Sequence, residues 1–268
     1  MFNYTPGKNT QYVLGSVAII VLIGLIGWYI VEDLKTDSPK PSEEQMNQEQ
    51  QEEVVIQEES SGTIQTPVAD IPHPLLNREV MIPENFPEEA AVAVRENIET
   101  LTAQITENPN LFQSWMNLAA QYKIINDFEG AAEVWEYLNK VAPQNTLARV
   151  NLGNLYHYDL KEYAKSESAF KAALAVEEDT PQAYLGLHEL YRYSYKTDTA
   201  NAKDILNEAM EALPENVDVV MALASYYKDL GRTSEAVGAY QEARTRAEKL
   251  GNTALVTTID AEIAKLTQ

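Results

Sequence analysis

Residues 112–145 read FQSWMNLAAQYKIINDFEGAAEVWEYLNKVAPQN, and the fold follows from this stretch. Trp115, Leu118 and Tyr122 are spaced i, i+3, i+7, and Ala131, Trp135 and Leu138 fall on one helical face in the same way. Ala119 and Ala131 are small enough for two helix backbones to approach. Asn126 and Asp127 supply a turn between the helices, and Pro143 stops the second. The stretch therefore predicts a helical hairpin with one apolar seam.

A lone hairpin of this kind cannot bury its outer apolar surface, so copies are expected, and they are present. The second copy, 146–180, places Leu152, Gly153 and Tyr156 in its first helix and Ser166, Phe170 and Ala173 in its second, with one extra residue in the turn. The third, 181–216, has Tyr184, Leu187 and Tyr191, then Ala202, Leu206, Ala209 and Pro214, and here His188 stands where the other copies carry a small residue. The fourth, 217–250, regains the register with Leu223, Ala224, Tyr227, Gly231, Ala236, Tyr240 and Ala243. The pattern of about 34 residues resembles the tetratricopeptide repeat. That resemblance implies an all-α solenoid of four helical hairpins over 110–250. Residues 88–109, with Val94, Ile98, Leu101 and Ile105 on one face, read as an amino-terminal capping helix. Residues 251–268, with Leu255, Ile259, Ile263 and Leu266, read as its carboxyl-terminal counterpart.

Upstream the chain changes character twice. After an amino-terminal tail of residues 1–12, Val13 to Val31 carries no charge. At about 1.5 Å per residue this covers roughly 28 Å, close to the hydrocarbon core of a bilayer. Trp28 and Tyr29 sit at its edge as interfacial anchors, and the run into Glu32 and Asp33 lacks the small residues of a cleavage site, so an uncleaved transmembrane helix is expected. Lys8 before it and Lys35 and Lys40 after it do not set the orientation. A short leader before one early span favours an extracytoplasmic repeat domain, and the cytoplasmic alternative stays open. Residues 32–65, rich in Glu, Gln and Ser, cannot offset the entropy of ordering and read as a disordered acidic linker. In 66–87, Pro67, Pro72, Pro74, Pro83 and Pro87 alternate with apolar residues, which predicts an extended strap against the first helices or, alternatively, a partner-binding motif.

The net charge of −21 argues against nucleic-acid binding, which needs an excess of Lys and Arg. The chain has no cysteine, and its three histidines, His73, His157 and His188, show no metal-ligand spacing. No phosphate loop or nucleophile motif occurs, so neither an enzyme nor a cofactor or metal site is expected. What remains is a binding surface.

In a stacked array the first helix of each repeat lines the inner side. Counting from Trp115 and its equivalents, the next residue gives an apolar row of Met116, Val150, Leu185 and Met221. The residue eight places on gives a basic row of Lys123, His157, Arg192 and Lys228, with Asn154 between the rows and Tyr158 and Tyr193 following the second and third basic members. These residues form the candidate peptide-binding groove. An acidic segment of a partner suits the basic row. The same cations, each in the last turn of its helix, also complement the helix dipole without any ligand.

Tetratricopeptide proteins that hold chaperone tails use a clamp of Lys and Asn. The matching places in the first repeat are Met116 and Ala120, which argues against that role, although Asn151 and Asn154 fit in the second. The layout of span, tether and repeats resembles bacterial membrane-anchored tetratricopeptide proteins, including cytochrome c assembly factors and translocon-associated chaperones. The expectation is a membrane-anchored scaffold that binds protein or peptide partners. The alternative is an envelope chaperone or assembly factor that captures unfolded clients through the apolar row. Partner, process and oligomeric state are not fixed by these observations.

Overall fold

The computed structural model describes residues 71–197 and 200–268. The expected tail, transmembrane helix, acidic linker and first part of the strap (66–70) lie outside the described residues. Among the described residues no helix is long and apolar enough to cross a membrane.

These residues form ten α-helices and no strand: α1 (Glu88–Glu107), α2 (Phe112–Ile124), α3 (Phe128–Val141), α4 (Leu147–Asn154), α5 (Tyr163–Leu174), α6 (Pro181–Tyr193), α7 (Asn201–Ala212), α8 (Val217–Asp229), α9 (Thr233–Lys249) and α10 (Thr253–Leu266). Each helix packs on the next along the chain, which gives four hairpins, α2–α3 through α8–α9, flanked by α1 and α10. First helices of successive hairpins also meet, α4 with α6 and α6 with α8, while the second helices make at most slight contact with each other. The side lined by first helices is therefore the inner side of the stack.

Local chemistry sets the boundaries. Asp127, Asn216 and Asn252 cap α3, α8 and α10, each side chain accepting a backbone N–H at 3.0 Å. Pro181 occupies the first turn of α6, where its missing N–H costs nothing. The residues that turn the chain from first to second helix, Asn126, Lys161, Lys196 and Gly231, all adopt left-handed φ of 57–69°. In the second hairpin the inserted residue is absorbed as a π turn over Leu155–Asp159, where the Leu160 N–H donates to Leu155 O at 3.0 Å.

The buried apolar residues form three clusters in succession along the stack. Trp115 is fully buried, its indole N–H donates to Pro109 O at 2.9 Å, and its ring meets that of Tyr137 at 4.9 Å. Ser114 donates to Gln104 at 3.0 Å and ties α1 to α2. Residues 71–87 lie along this first block, with Ile71, Leu76, Val80, Ile82 and Phe86 half-buried against it. Arg78 fastens them by donating to both oxygens of the Asp127 carboxylate and to Glu133 at 3.1 Å. Asp127 thus caps α3 and holds the strap at once.

Phe170 of α5 joins the second hairpin to the third. Its ring is fully buried between Gly153 of α4 and Gly186 of α6. A Cβ added at Gly153 would sit 2.5 Å from the ring, and one added at Gly186 would sit 2.3 Å from it. Ser166, one turn earlier and also buried, donates to Gly153 O at 2.8 Å. His188 is accommodated in the third hairpin because its Nδ1 meets Ala202 O at 2.7 Å, so the imidazole bonds the start of α7 where smaller residues only fill space.

Overpacking of this joint is the simplest test of the stack. Gly186→Ala should destabilise the protein by about 1–3 kcal/mol, and Phe170→Leu should restore much of that loss when combined with it. Urea melts followed by circular dichroism of the two single variants and the double variant read this out, and strictly additive losses would refute the contact.

Candidate docking face

The stack sorts the first-helix residues by angle. At about 100° per residue, positions one and eight after Trp115 and its equivalents point roughly 80–100° from the core direction, toward the neighbouring hairpin. Positions two before, and two, five and nine after, point roughly 140–200° away, opposite the core. Burial follows this division. Met116 and Val150, at the first position, are 9% and 7% exposed, and Leu185 and Met221 are half-buried. The row expected as an open apolar contact surface is in its first two members part of the packing between hairpins.

The expected basic row is likewise engaged. Lys123 pairs with Asp159 at 3.1 Å, without a directed hydrogen bond to that oxygen. His157 Nε2 lies 2.8 Å from Ser194 Oγ. Arg192 pairs with Asp229 and reaches Ser225 O at 3.4 Å, and Lys228 pairs with Glu262 at 3.0 Å. Every partner belongs to the next hairpin or to α10. These side chains form a ladder of clasps along the array, a role that neither helix-dipole complementation nor a free peptide-binding cation describes. Position eight faces the neighbour, and that geometry is the reason.

The side chains left open are those opposite the core. At position nine Ile124, Tyr158 and Tyr193 are 48%, 44% and 62% exposed, and Leu147, two before, is 55% exposed. Asn154 is half-buried, whereas Gln113, Asn117, Gln182 and Glu189 are exposed. Gln113 donates to Asn117 at 2.9 Å, and the Tyr158 hydroxyl donates to the Glu189 carboxylate. So Tyr158, Tyr193 and Asn154 of the expected groove lie on this face, while Met116, Val150 and the basic row flank it. Ile124, Leu147, Gln113 and Asn117 were not singled out by sequence reasoning, although the angular count alone places them here.

Electrostatically the face is neutral in its first half and acidic in its second. The four outward positions of each first helix hold no lysine or arginine, and Glu189, Asp218 and Asp229 are their charged members. Behind the face lie two buried histidines. His157, 3% exposed, has no hydrogen-bond partner at Nδ1, and burial together with the nearby Lys161 charge pushes its pKa below the ordinary value of 6.5. Burial also lowers His188, whose Nε2 faces Arg192 at 3.5 Å. The Ala202 carbonyl can accept only from a protonated nitrogen, so Nδ1 carries the single proton and Nε2 is unprotonated.

The pH consequence has a definite sign. A histidine held neutral in the folded state but free to protonate when unfolded contributes stability above its ordinary pKa, and that contribution is lost as pH falls. The chain should lose stability between about pH 7 and pH 5. His157→Gln with His188→Gln should flatten this loss relative to the parent, the background of titrating carboxylates being common to both. Denaturant midpoints at the two pH values measure it, and an unchanged slope would show that the histidines do not carry the effect.

No family model and no curated protein matches the chain. Among solved structures the chain is similar to MamA, with 17% identity, a TM-score of 0.48, and 64% of this chain and 99% of that one covered. It is also similar to a thermophilic tetratricopeptide repeat protein of Thermus thermophilus, with 19% identity, a TM-score of 0.47, and 67% and 94% covered. A third such structure is PilW, described as a type IV pilus biogenesis factor, with 17% identity, a TM-score of 0.47, and 65% and 86% covered.

Proposed function

We propose that the chain is a membrane-anchored scaffold of the tetratricopeptide type that docks a protein or peptide partner on the outward face of its first helices. The observation that carries this reading is the exposure of Ile124, Leu147, Tyr158 and Tyr193 on that face, in successive hairpins. Ile124, Tyr158 and Tyr193 occupy the same position in three successive first helices, and large apolar or aromatic side chains recurring on one face mark interaction sites. The amides of Gln113, Asn117 and Gln182 lie among them and offer both donors and acceptors to a partner's main chain. Membrane attachment rests on the uncharged run Val13 to Val31.

The cations an acidic partner requires are committed to Asp159, Asp229 and Glu262. An occupant without an acidic segment, held by apolar and polar contacts, suits the face better. The chaperone-like alternative keeps the same face but gives it many clients rather than one, and the half-buried Leu185 and Met221 extend its apolar surface.

A photocrosslinking residue placed at Ile124 or Tyr193 in the full-length chain, in membranes, should yield one or a few discrete adducts. The same residue at the exposed Glu208 on α7 should yield none. A broad smear of adducts from the first two sites favours client capture, and equal labelling from all three would sink the docking face. Carbonate washing should leave the full chain in the membrane pellet, and removal of residues 1–33 should release it. Recovery of both forms in the supernatant would remove the anchor.

A further inference from the structure

On the outward face, between the second and third hairpins, a carboxylate stands between two exposed tyrosine rings. The Tyr158 hydroxyl donates to Glu189 across the hairpin boundary, and Tyr193 follows Glu189 by one helical turn on the same face of α6. Each ring is backed on one side: His157 lies 4.1 Å from Tyr158, and the Arg192 guanidinium lies 4.7 Å from Tyr193. Both tyrosines nevertheless remain exposed, at 44% and 62%.

The next boundary shows what such an arrangement holds. There Arg192 lies over the rings of Tyr193 and Tyr226, at 4.7 and 5.6 Å, with Asp229 as its counter-ion. Ring, guanidinium and carboxylate form one unit. One hairpin earlier the place of Arg192 is taken by His157, which is buried and bonded to Ser194. Ring and carboxylate are present there, while Arg192, which covers one side of the Tyr193 ring, makes its ion pair with Asp229 rather than with Glu189. Lys161, at the rim, directs its ammonium to the Tyr158 carbonyl rather than to Glu189.

We propose, building on the docking face described above, that Tyr158, Glu189 and Tyr193 receive an arginine side chain of the docked partner. A planar guanidinium stacks on a tyrosine ring while donating in its own plane to a carboxylate, a combination that a lysine ammonium does not reproduce. The partner is thus a segment carrying arginine, with an apolar residue for Ile124, which stands at the position of Tyr158 in the hairpin before it. The chain's net charge of −21 favours the encounter.

The test uses the full-length chain in detergent and two fluorescein-labelled twelve-residue peptides, one alternating Arg with Leu and one with citrulline in place of every Arg. Citrulline keeps the shape and removes the charge. Fluorescence anisotropy at fixed salt should show the Arg peptide binding about tenfold tighter. Glu189→Gln and Tyr158→Ala, both at exposed positions, should each cut that preference to about threefold or less; Glu189→Gln should leave the citrulline peptide unaffected, whereas Tyr158→Ala, which removes a ring of the docking face, should weaken the citrulline peptide as well, though less than the Arg peptide. Glu208→Gln, which removes one negative charge elsewhere, should leave the preference intact. If Glu189→Gln changes the preference no more than Glu208→Gln does, the attraction is a general charge effect and the arginine site is overturned. If both peptides bind alike and Ile124→Ala weakens them equally, the docking face stands and the arginine site falls. Binding of neither peptide would overturn the site as well.

Discussion

The structure depends on how closely two helix backbones can approach one aromatic ring. Phe170 occupies the space that side chains at Gly153 and Gly186 would fill, and it belongs to neither of their helices. A ring seated on two bare backbones fixes the distance and angle between the second and third hairpins more tightly than a sliding apolar contact does, because packed interiors leave no slack for a methyl group. The polar ladder on the inner side then holds the spacing. Lys123, His157, Arg192 and Lys228 each reach the next unit, so the register set in the core is repeated near the surface.

This division of labour explains what is left for function. Most residues that point sideways are engaged by the neighbouring hairpin, as ion pairs or buried packing, while most of those that point away from the core stay open; Asp229, paired with Arg192, and Gly186, covered by Phe170, are exceptions. The exposed side chains of the first helices are therefore what stacking leaves over. That the remainder contains aromatic rings, amides and carboxylates, and no cation, gives the face a chemical preference opposite to the one its basic row suggests.

Much of the fold was legible in the sequence. Trp115, Leu118, Ala119 and Tyr122 announce a helix packed on a partner, and Gly153 and Phe170 appear at the offsets the motif requires. The joint they form was not legible, since Phe170 meets Gly186 through a contact between hairpins that no local spacing records. The left-handed turns at Lys161 and Lys196 were hidden because lysine carries no preference for that conformation. Nor did the strap reveal that Arg78 would find Asp127, 49 residues away. The candidate groove, drawn through positions one, five and eight with Tyr158 and Tyr193, combines two faces: Asn154, Tyr158 and Tyr193 point away from the core, where a strict angular count adds Ile124, and the apolar and basic rows point toward the neighbouring hairpin. That count still could not have shown that Arg192 is spent on Asp229.

The most direct measurement of the account is native-state hydrogen exchange on Phe170→Ala. If one ring couples two hairpins into a single stack, amide protection should fall together in α4, α5, α6 and α7, with α1 to α3 little affected. Loss of protection confined to α5, with α6 and α7 unchanged, would contradict it: the hairpins would then be independent units, and no continuous face would exist for a partner to occupy.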